Sequence, residues 1–233
     1  MSASELGLPP GIRACLFDLD GVLTDTASVH LTAWRQVFAA LDLEFSDDDY
    51  RLYVDGRRRS DGARTFLESH CLAASDTVIT EIAARKDALF LRAIERDGVT
   101  RYDRSIAYVR AVAAAGYRRA VVSASRHCAE VLEAAGLAGL FELRVDGVTA
   151  ADEDLEGKPA PDTFLYAARL LGVEPEACAV FEDALAGVEA GRAGGFGYVV
   201  GVARSVDPAE LLAHGADVAV GDLAELCRIR ASY

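Results

Sequence analysis

Phe17-Asp18-Leu19-Asp20-Gly21-Val22-Leu23-Thr24-Asp25-Thr26 carries two carboxylates two residues apart, followed at once by a glycine. Carboxylates side by side repel each other unless a cation lies between them or their protonation states split, and either outcome is chemistry. An apolar run, Ile12 to Leu16, precedes them and reads as a strand. Alternate residues of a strand share a face, so Asp18 and Asp20 are expected to point the same way. Gly21 then permits a sharp turn. Asp-x-Asp-Gly also occurs in plain acidic turns and in calcium loops. A calcium loop calls for oxygen ligands at alternating positions and a glutamate at its twelfth place. Here Val22 and Leu23 follow directly, and the twelfth residue counted from Asp18 is Val29. On this motif alone a plain acidic turn stays open.

Three more signals fall where strands should end. Ser123 closes Val121-Val122-Ser123-Ala124-Ser125, Lys158 lies in Gly157-Lys158-Pro159-Ala160-Pro161-Asp162, and Glu182-Asp183 ends the apolar run Ala179 to Phe181. Singly, each has an ordinary reading. A serine after a strand is usually a helix N-cap, a lysine before proline is usually a solvated loop charge, and Glu-Asp favours the positive end of a following helix. Together they form a constellation. Three or four carboxylates meeting in one crevice are strongly destabilised without a divalent cation, and an all-oxygen donor set points to Mg²⁺. A lysine, a hydroxyl and helix N-terminal amides nearby make an anion site. The chemistry implied is phosphoryl transfer, with a carboxylate nucleophile, a metal and a cationic clamp on the phosphoryl oxygens.

The elements that would position these groups alternate. After the first strand, Val29 to Leu41 has helical spacing, and Thr77 to Arg96 is an amphipathic run within a stretch that shows no strand up to about residue 100. From about Asp103 the order is helix 106–115, strand 119–123, helix 126–135, strand 141–145, helix 161–171, strand 179–182, helix 184–193, strand 198–202, helix 208–213 and strand 218–220. Alternating strands and helices predict an α/β fold, a doubly wound, Rossmann-like parallel sheet. The core is expected to span residues 1–25 and 103–233, with a helical cap domain over 26–102 inserted after the first strand. Such an insert sits over the carboxyl edge of the sheet, where open α/β sheets bind ligands. Hinges are expected at 24–27 and 100–104. The glycines between Gly191 and Gly201 follow a helix and precede a strand, the wrong order for a dinucleotide fingerprint.

At 233 residues, 52% apolar and 26% charged, the chain has an ordinary globular composition. A formal charge of −13 argues against nucleic acid and anionic membrane surfaces as partners. The chain has neither a signal-peptide pattern nor an apolar run of the roughly 18 residues needed to cross a bilayer. Five cysteines, Cys15, Cys71, Cys128, Cys178 and Cys227, are widely spaced and odd in number, which favours buried free thiols and a cytoplasmic setting.

The order Asp-x-Asp-Gly-Val-x-x-Asp-Thr, then Ser, then Gly-Lys-Pro-x-Pro, then Glu-Asp resembles the haloacid dehalogenase superfamily, and within it the β-phosphoglucomutase-like group. The resemblance implies that Asp18 is the nucleophile and forms an aspartyl phosphate, that Asp20 is the general acid/base, and that Ser123 and Lys158 grip the phosphate. It implies one Mg²⁺ per site, held by Asp18, the main-chain carbonyl of Asp20, Glu182 and Asp183. It also implies substrate or phosphate contacts from Thr26, His30, Trp34, Gly56, Arg57, Arg59, Lys86, Ala124, Ser125, Arg126 and His127.

Five arginines (Arg51, Arg57, Arg58, Arg59, Arg64) crowd into 14 residues of this acidic chain, either as a solvated cluster or as a second phosphate dock. The mutases of the group carry Asn where this chain has Asp87 and His127. The function expected is interconversion of β-glucose 1-phosphate and glucose 6-phosphate by a monomer, with glucose 1,6-bisphosphate as activating intermediate. The alternative is a phosphatase of a small phosphorylated sugar. A phosphate-sensing binding module is less well matched, because both aspartates are present.

Overall fold

Six parallel strands, β1 (Ala14–Phe17), β2 (Arg118–Val122), β3 (Leu143–Val145), β4 (Cys178–Glu182), β5 (Tyr198–Val202) and β6 (Val218–Val220), form one sheet in the computed structural model, which describes residues 3–228. The strand order is β3-β2-β1-β4-β5-β6. Parallel sheets are covered on both faces, so their strands are apolar throughout, and the side chains still sort by alternation. Cys15, Phe17, Val121, Ala179 and Phe181 belong to one buried layer. Ala14, Leu16, Ala120, Val122, Cys178 and Val180 belong to the other. Helices α5 (Asp103–Ala114) and α6 (Cys128–Ala134) cover the first layer through Val109, Val112 and Val131. Helices α8 (Asp162–Leu171), α9 (Leu185–Ala193) and α10 (Pro208–Ala213) cover the second through Phe164, Val188 and Leu211.

Between β1 and β2 lie α1 (Ala27–Ala39), α2 (Asp47–Asp49), α3 (Arg59–Ser69) and α4 (Asp76–Asp97). They bury their own core, including Trp34, Phe38, Phe66, Ile79 and Ile82. Ser46 and Asp49 form a reciprocal capping box that starts α2, and the chain then widens into a single π-helical turn, Tyr50–Val54. The two crossings between this helical cap and the sheet run side by side. The Asp25 amide donates to the Thr100 carbonyl at 2.9 Å, and the Tyr102 amide donates to the Leu23 carbonyl at 2.9 Å. These are the segments expected to be hinges.

The sheet reverses its winding at β1, which has β2 on one side and β4 on the other. Phe17 is in register with both Val121 and Phe181. Asp18, Ser123 and Glu182 therefore emerge side by side at the carboxyl edge, the crevice where open α/β sheets hold ligands.

Some details differ from the sequence reading. β1 stops at Phe17, so Asp18 and Asp20 do not converge as alternate residues of a strand. They lie on the turn beyond it, closed by the Gly21 amide donating to the Thr24 carbonyl at 2.7 Å. A short helix, α7 (Gly147–Asp152), carries no apolar period and was not expected. Asp146 nucleates it by accepting from the Val148 and Thr149 amides at 3.0 Å. All five cysteines are free, with Cys15, Cys128 and Cys178 buried and Cys71 and Cys227 exposed. Among the described residues no helix is long and apolar enough to cross a membrane.

Candidate active site

Lys158 sits at the centre of the crevice with its side chain 2% exposed. Its ammonium bonds Asp18 Oδ1 at 2.5 Å, Glu182 Oε1, and the Val122 carbonyl at 3.3 Å, which uses all three of its protons. The loop reading of a solvated charge does not hold for it. The two carboxylates overcome the burial that would discharge the ammonium and hold its pKa above the ordinary value. Glu182 is braced in turn, its Oε2 accepting from the Asp183 and Ala184 amides at 3.0 and 3.1 Å. Asp18 is pushed well above the ordinary carboxylate range, first by burial and then by Glu182 and Asp20, against the pull of Lys158.

Asp20 has a different environment. Its Oδ1 accepts from the Thr26 hydroxyl, which also bonds Thr24 at 2.8 Å, and lies 3.5 Å from His30 Nε2. Its Oδ2 accepts from Ser123 Oγ at 3.3 Å. Burial alone would raise Asp20, but His30, Thr26 and Lys86 outweigh it and hold the group at about 2. His30 Nδ1 faces the Lys86 ammonium, so the ring offers its Nε2 proton to Asp20. Burial and Lys86 depress His30, and burial brings Lys86 down to about 7. Phe90 stacks on the His30 ring at 4.1 Å and lies 4.8 Å beneath the Lys86 ammonium. Two carboxylates close in sequence are thus pushed in opposite directions, Asp18 by burial among other carboxylates and Asp20 by the cations and hydroxyl that face it.

Asp18, Glu182 and Asp183 each present an oxygen within 4.8 Å of the others, all three buried. Gly21, at φ 79°, makes the room: a Cβ there would stand 1.7 Å from Asp183 Oδ2. A buried, crowded, all-oxygen donor set with too little positive charge suits a hard divalent cation such as Mg²⁺.

Asp55 adds a fifth carboxyl that the sequence reading missed. It follows the π turn on the cap, is 7% exposed, and its Oδ2 has no hydrogen-bond partner among the described residues. Burial, with Glu182 and Asp20 adding, raises Asp55 from 3.8 to about 7. Because the folded value lies above the unfolded one, the native state keeps this proton longer, and stability falls as pH climbs from about 4 to about 7. Asp55→Asn should therefore stabilise the protein in EDTA by an amount that is small at pH 4.5 and grows to about a few kcal/mol above pH 7. Thermal melts across that range check it; a pH-independent difference would count against a buried, proton-holding Asp55.

The remaining predicted residues divide. His30, Trp34, Gly56, Arg57, Arg59, Lys86, Ala124, Ser125, Arg126 and His127 all line one cleft with Asp18, Asp20 and Asp183. Trp34 is only 2% exposed and stacks on Phe38 at 5.3 Å, so most of it belongs to the cap core. Thr26, 1% exposed, lies behind Asp20 and not on the cleft wall. Ser123 Oγ accepts from the Ser125 amide and Ser125 Oγ from the His127 amide, each at 3.1 Å, two successive turns that carry this loop over the edge of the sheet.

The arginine cluster splits in the same way. Arg51 pairs with Glu210 and Asp48, Arg64 with Asp76, and Arg58 with Asp61 and the Leu155 carbonyl. Arg59 pairs with Asp87. Arg57 and Arg126 line the cleft with no pairing partner among the described residues. Tyr50, Val54 and Phe90 also line it. None of the three was among the expected site residues.

The cap is closed on the sheet. Gly56, at φ 70°, packs so near Ala184 that a Cβ there would come within 2.8 Å of the alanine methyl. Arg58, Asp87 and Arg51 each reach a partner on the sheet side. The cavity left in the cleft measures about 60 Å³, room for a few water molecules.

Comparison with known proteins fits this geometry. A family model described as haloacid dehalogenase-like hydrolase matches residues 12–195. A protein of Mycobacterium bovis named beta-phosphoglucomutase is 47% identical over 95% of this chain and 94% of its own length. The fructose-1-phosphate phosphatase of Escherichia coli is 33% identical over 77% of this chain and 91% of its own. A crystal structure of beta-phosphoglucomutase from Clostridium difficile superposes with a TM-score of 0.78 at 27% identity, covering 92% of this chain and 93% of that one.

Proposed function

The chain belongs to the haloacid dehalogenase-like hydrolase family, and on that premise we propose that it is a Mg²⁺-dependent β-phosphoglucomutase. The observation that supports this reading best is that Arg57 and Arg126, free of protein partners among the described residues, line the same cleft as Asp18, whose carboxylate Lys158 holds. A mutase must hold two phosphates at once, whereas a phosphatase needs one.

In this reading an Asp18 oxygen attacks phosphorus, the ester P–O bond breaks, and Lys158 steadies Asp18 while facing the charge that develops on the phosphoryl oxygens. Mg²⁺ held by Asp18, Glu182, Asp183 and the Asp20 carbonyl would supply further neutralisation of that charge. Asp20, ionised in the empty site, takes the proton of the sugar hydroxyl that attacks the aspartyl phosphate. It returns that proton to the leaving oxygen in the other half-reaction. Thr26 and His30 hold the Asp20 carboxylate in place. The closed cap (residues 26–102) excludes water, which would otherwise hydrolyse the aspartyl phosphate. In this reading the substrate enters by opening the cap about residues 24–27 and 100–104.

The second reading, a phosphatase of a small phosphorylated sugar, is favoured by one observation: the guanidinium of Arg59, expected to grip a second phosphate, is already paired with Asp87. One assay separates the two. Purified protein given Mg²⁺, β-glucose 1-phosphate and a trace of glucose 1,6-bisphosphate should produce glucose 6-phosphate. Inorganic phosphate released faster than glucose 6-phosphate appears would instead establish the phosphatase.

A further inference from the structure

One oxygen of Asp87 bridges the cap and the core. Asp87 lies on α4, and its Oδ1 is taken by Arg59 Nη1, from the start of α3, and lies 2.9 Å from Nε2 of His127, on the loop after β2. All three line the cleft, together with Arg57 and Arg126. Arg126 is close enough to Arg59 to depress it electrostatically, second to burial. These groups make a cationic cluster in the cleft that Asp18 also lines, and a carboxylate oxygen held between a guanidinium and an imidazole occupies the position a phosphate oxygen would take there. The Asp87 side chain is 27% exposed, and no described residue other than Arg59 and His127 pairs with it, so it can leave that position without breaking a buried network.

We propose that Asp87 is an internal counter-ion for the second anion seat: it fills the seat while the cleft is empty, and the distal phosphate of a doubly phosphorylated sugar must displace it. This rests on the reading of the cleft as a two-phosphate site. Asp87 cancels the charge of Arg59 and repels an incoming phosphate dianion, so it is a specificity-determining residue that works against retention. It sets how readily a bisphosphate is released from the cap, and how far the chain favours singly phosphorylated ligands.

The test is equilibrium binding of glucose 1,6-bisphosphate, measured by calorimetry with Mg²⁺ in an Asp18→Asn protein so that nothing turns over. Adding Asp87→Asn should tighten binding by at least about tenfold, a charge effect at short range in a partly buried site. The gain should shrink as salt is raised. Asp87→Ala should also tighten binding, which rules out a special contact made by the new carboxamide. Unchanged or weaker binding in both variants would overturn the proposal and make Asp87 a brace that holds Arg59 and His127 for the ligand. Failure of every protein in the set to bind the bisphosphate would remove the two-phosphate reading itself, and this inference with it.

Discussion

Asp18→Asn should lower turnover by about 10⁴-fold or more, with β-glucose 1-phosphate or with any phosphate ester the protein hydrolyses. A carboxamide has the shape of the carboxylate but is a poor nucleophile, and the other residues of the cleft act on the same bond only through Asp18. The fold should survive the change. Asp18 is 5% exposed and its ionised form is disfavoured first by burial and then by Glu182 and Asp20. An amide oxygen can still accept from Lys158, so melting in EDTA at neutral pH should not fall. Mass spectrometry of the native protein after brief exposure to substrate should find one phosphoryl group on the chain, and none on the variant. Turnover within a few fold of the native value would remove Asp18 as nucleophile.

Lys158→Met should damage stability and activity together. The native ammonium is the positive charge in contact with Asp18 and Glu182, and Phe164 packs 4.8 Å from it. Removing one partner of a buried ion pair leaves the others uncompensated, a cost of about 3–5 kcal/mol. That loss should be greatest in EDTA at neutral pH. It should shrink with added Mg²⁺ or at acid pH, where the two carboxylates are neutralised by other means. Turnover should fall by roughly 10³-fold, as when one preorganised electrostatic group is lost from a transition state. Lys158→Arg should not restore it, since a planar fork cannot replace a compact ammonium inside a fully buried triangle of oxygens. A Lys158→Met protein as stable as the native one would mean that Asp18 and Glu182 do not both rely on this charge.

Much of this site was legible in the chain because its parts are local. Asp18 and Asp20, and Glu182 and Asp183, each follow or end a short apolar run, and in a parallel sheet such ends meet at one edge; Lys158 was legible only through its Gly-Lys-Pro-x-Pro motif. The strand and helix order was legible for the same reason, because periodicity is a local property. The boundaries were less so: β1 ends at Phe17, and the convergence of the two aspartates belongs to the turn closed by Gly21 and Thr24. The arginine cluster was legible as an excess of charge but not as a function. Arg51, Arg58 and Arg64 are ordinary ion-pairing side chains, and only Arg57 and Arg59 reach the cleft.

By itself the sequence determined the reaction class, the sheet that carries it and the presence of a helical cap, since each follows from residue types in order along a strand or a helix. Tertiary structure decided which charges meet. Asp55 comes to lie beside Asp183 and Glu182, Lys86 comes to face His30 across 56 positions, and Asp87 comes to join Arg59 to His127. The Lys86–His30 and Asp87–Arg59 contacts are made where helices of the cap pack on one another, and those of Asp55 and of Asp87 with His127 are made when the cap folds over the sheet. Both kinds depend on how one packed element is set against another, and no periodicity within a single element records that angle.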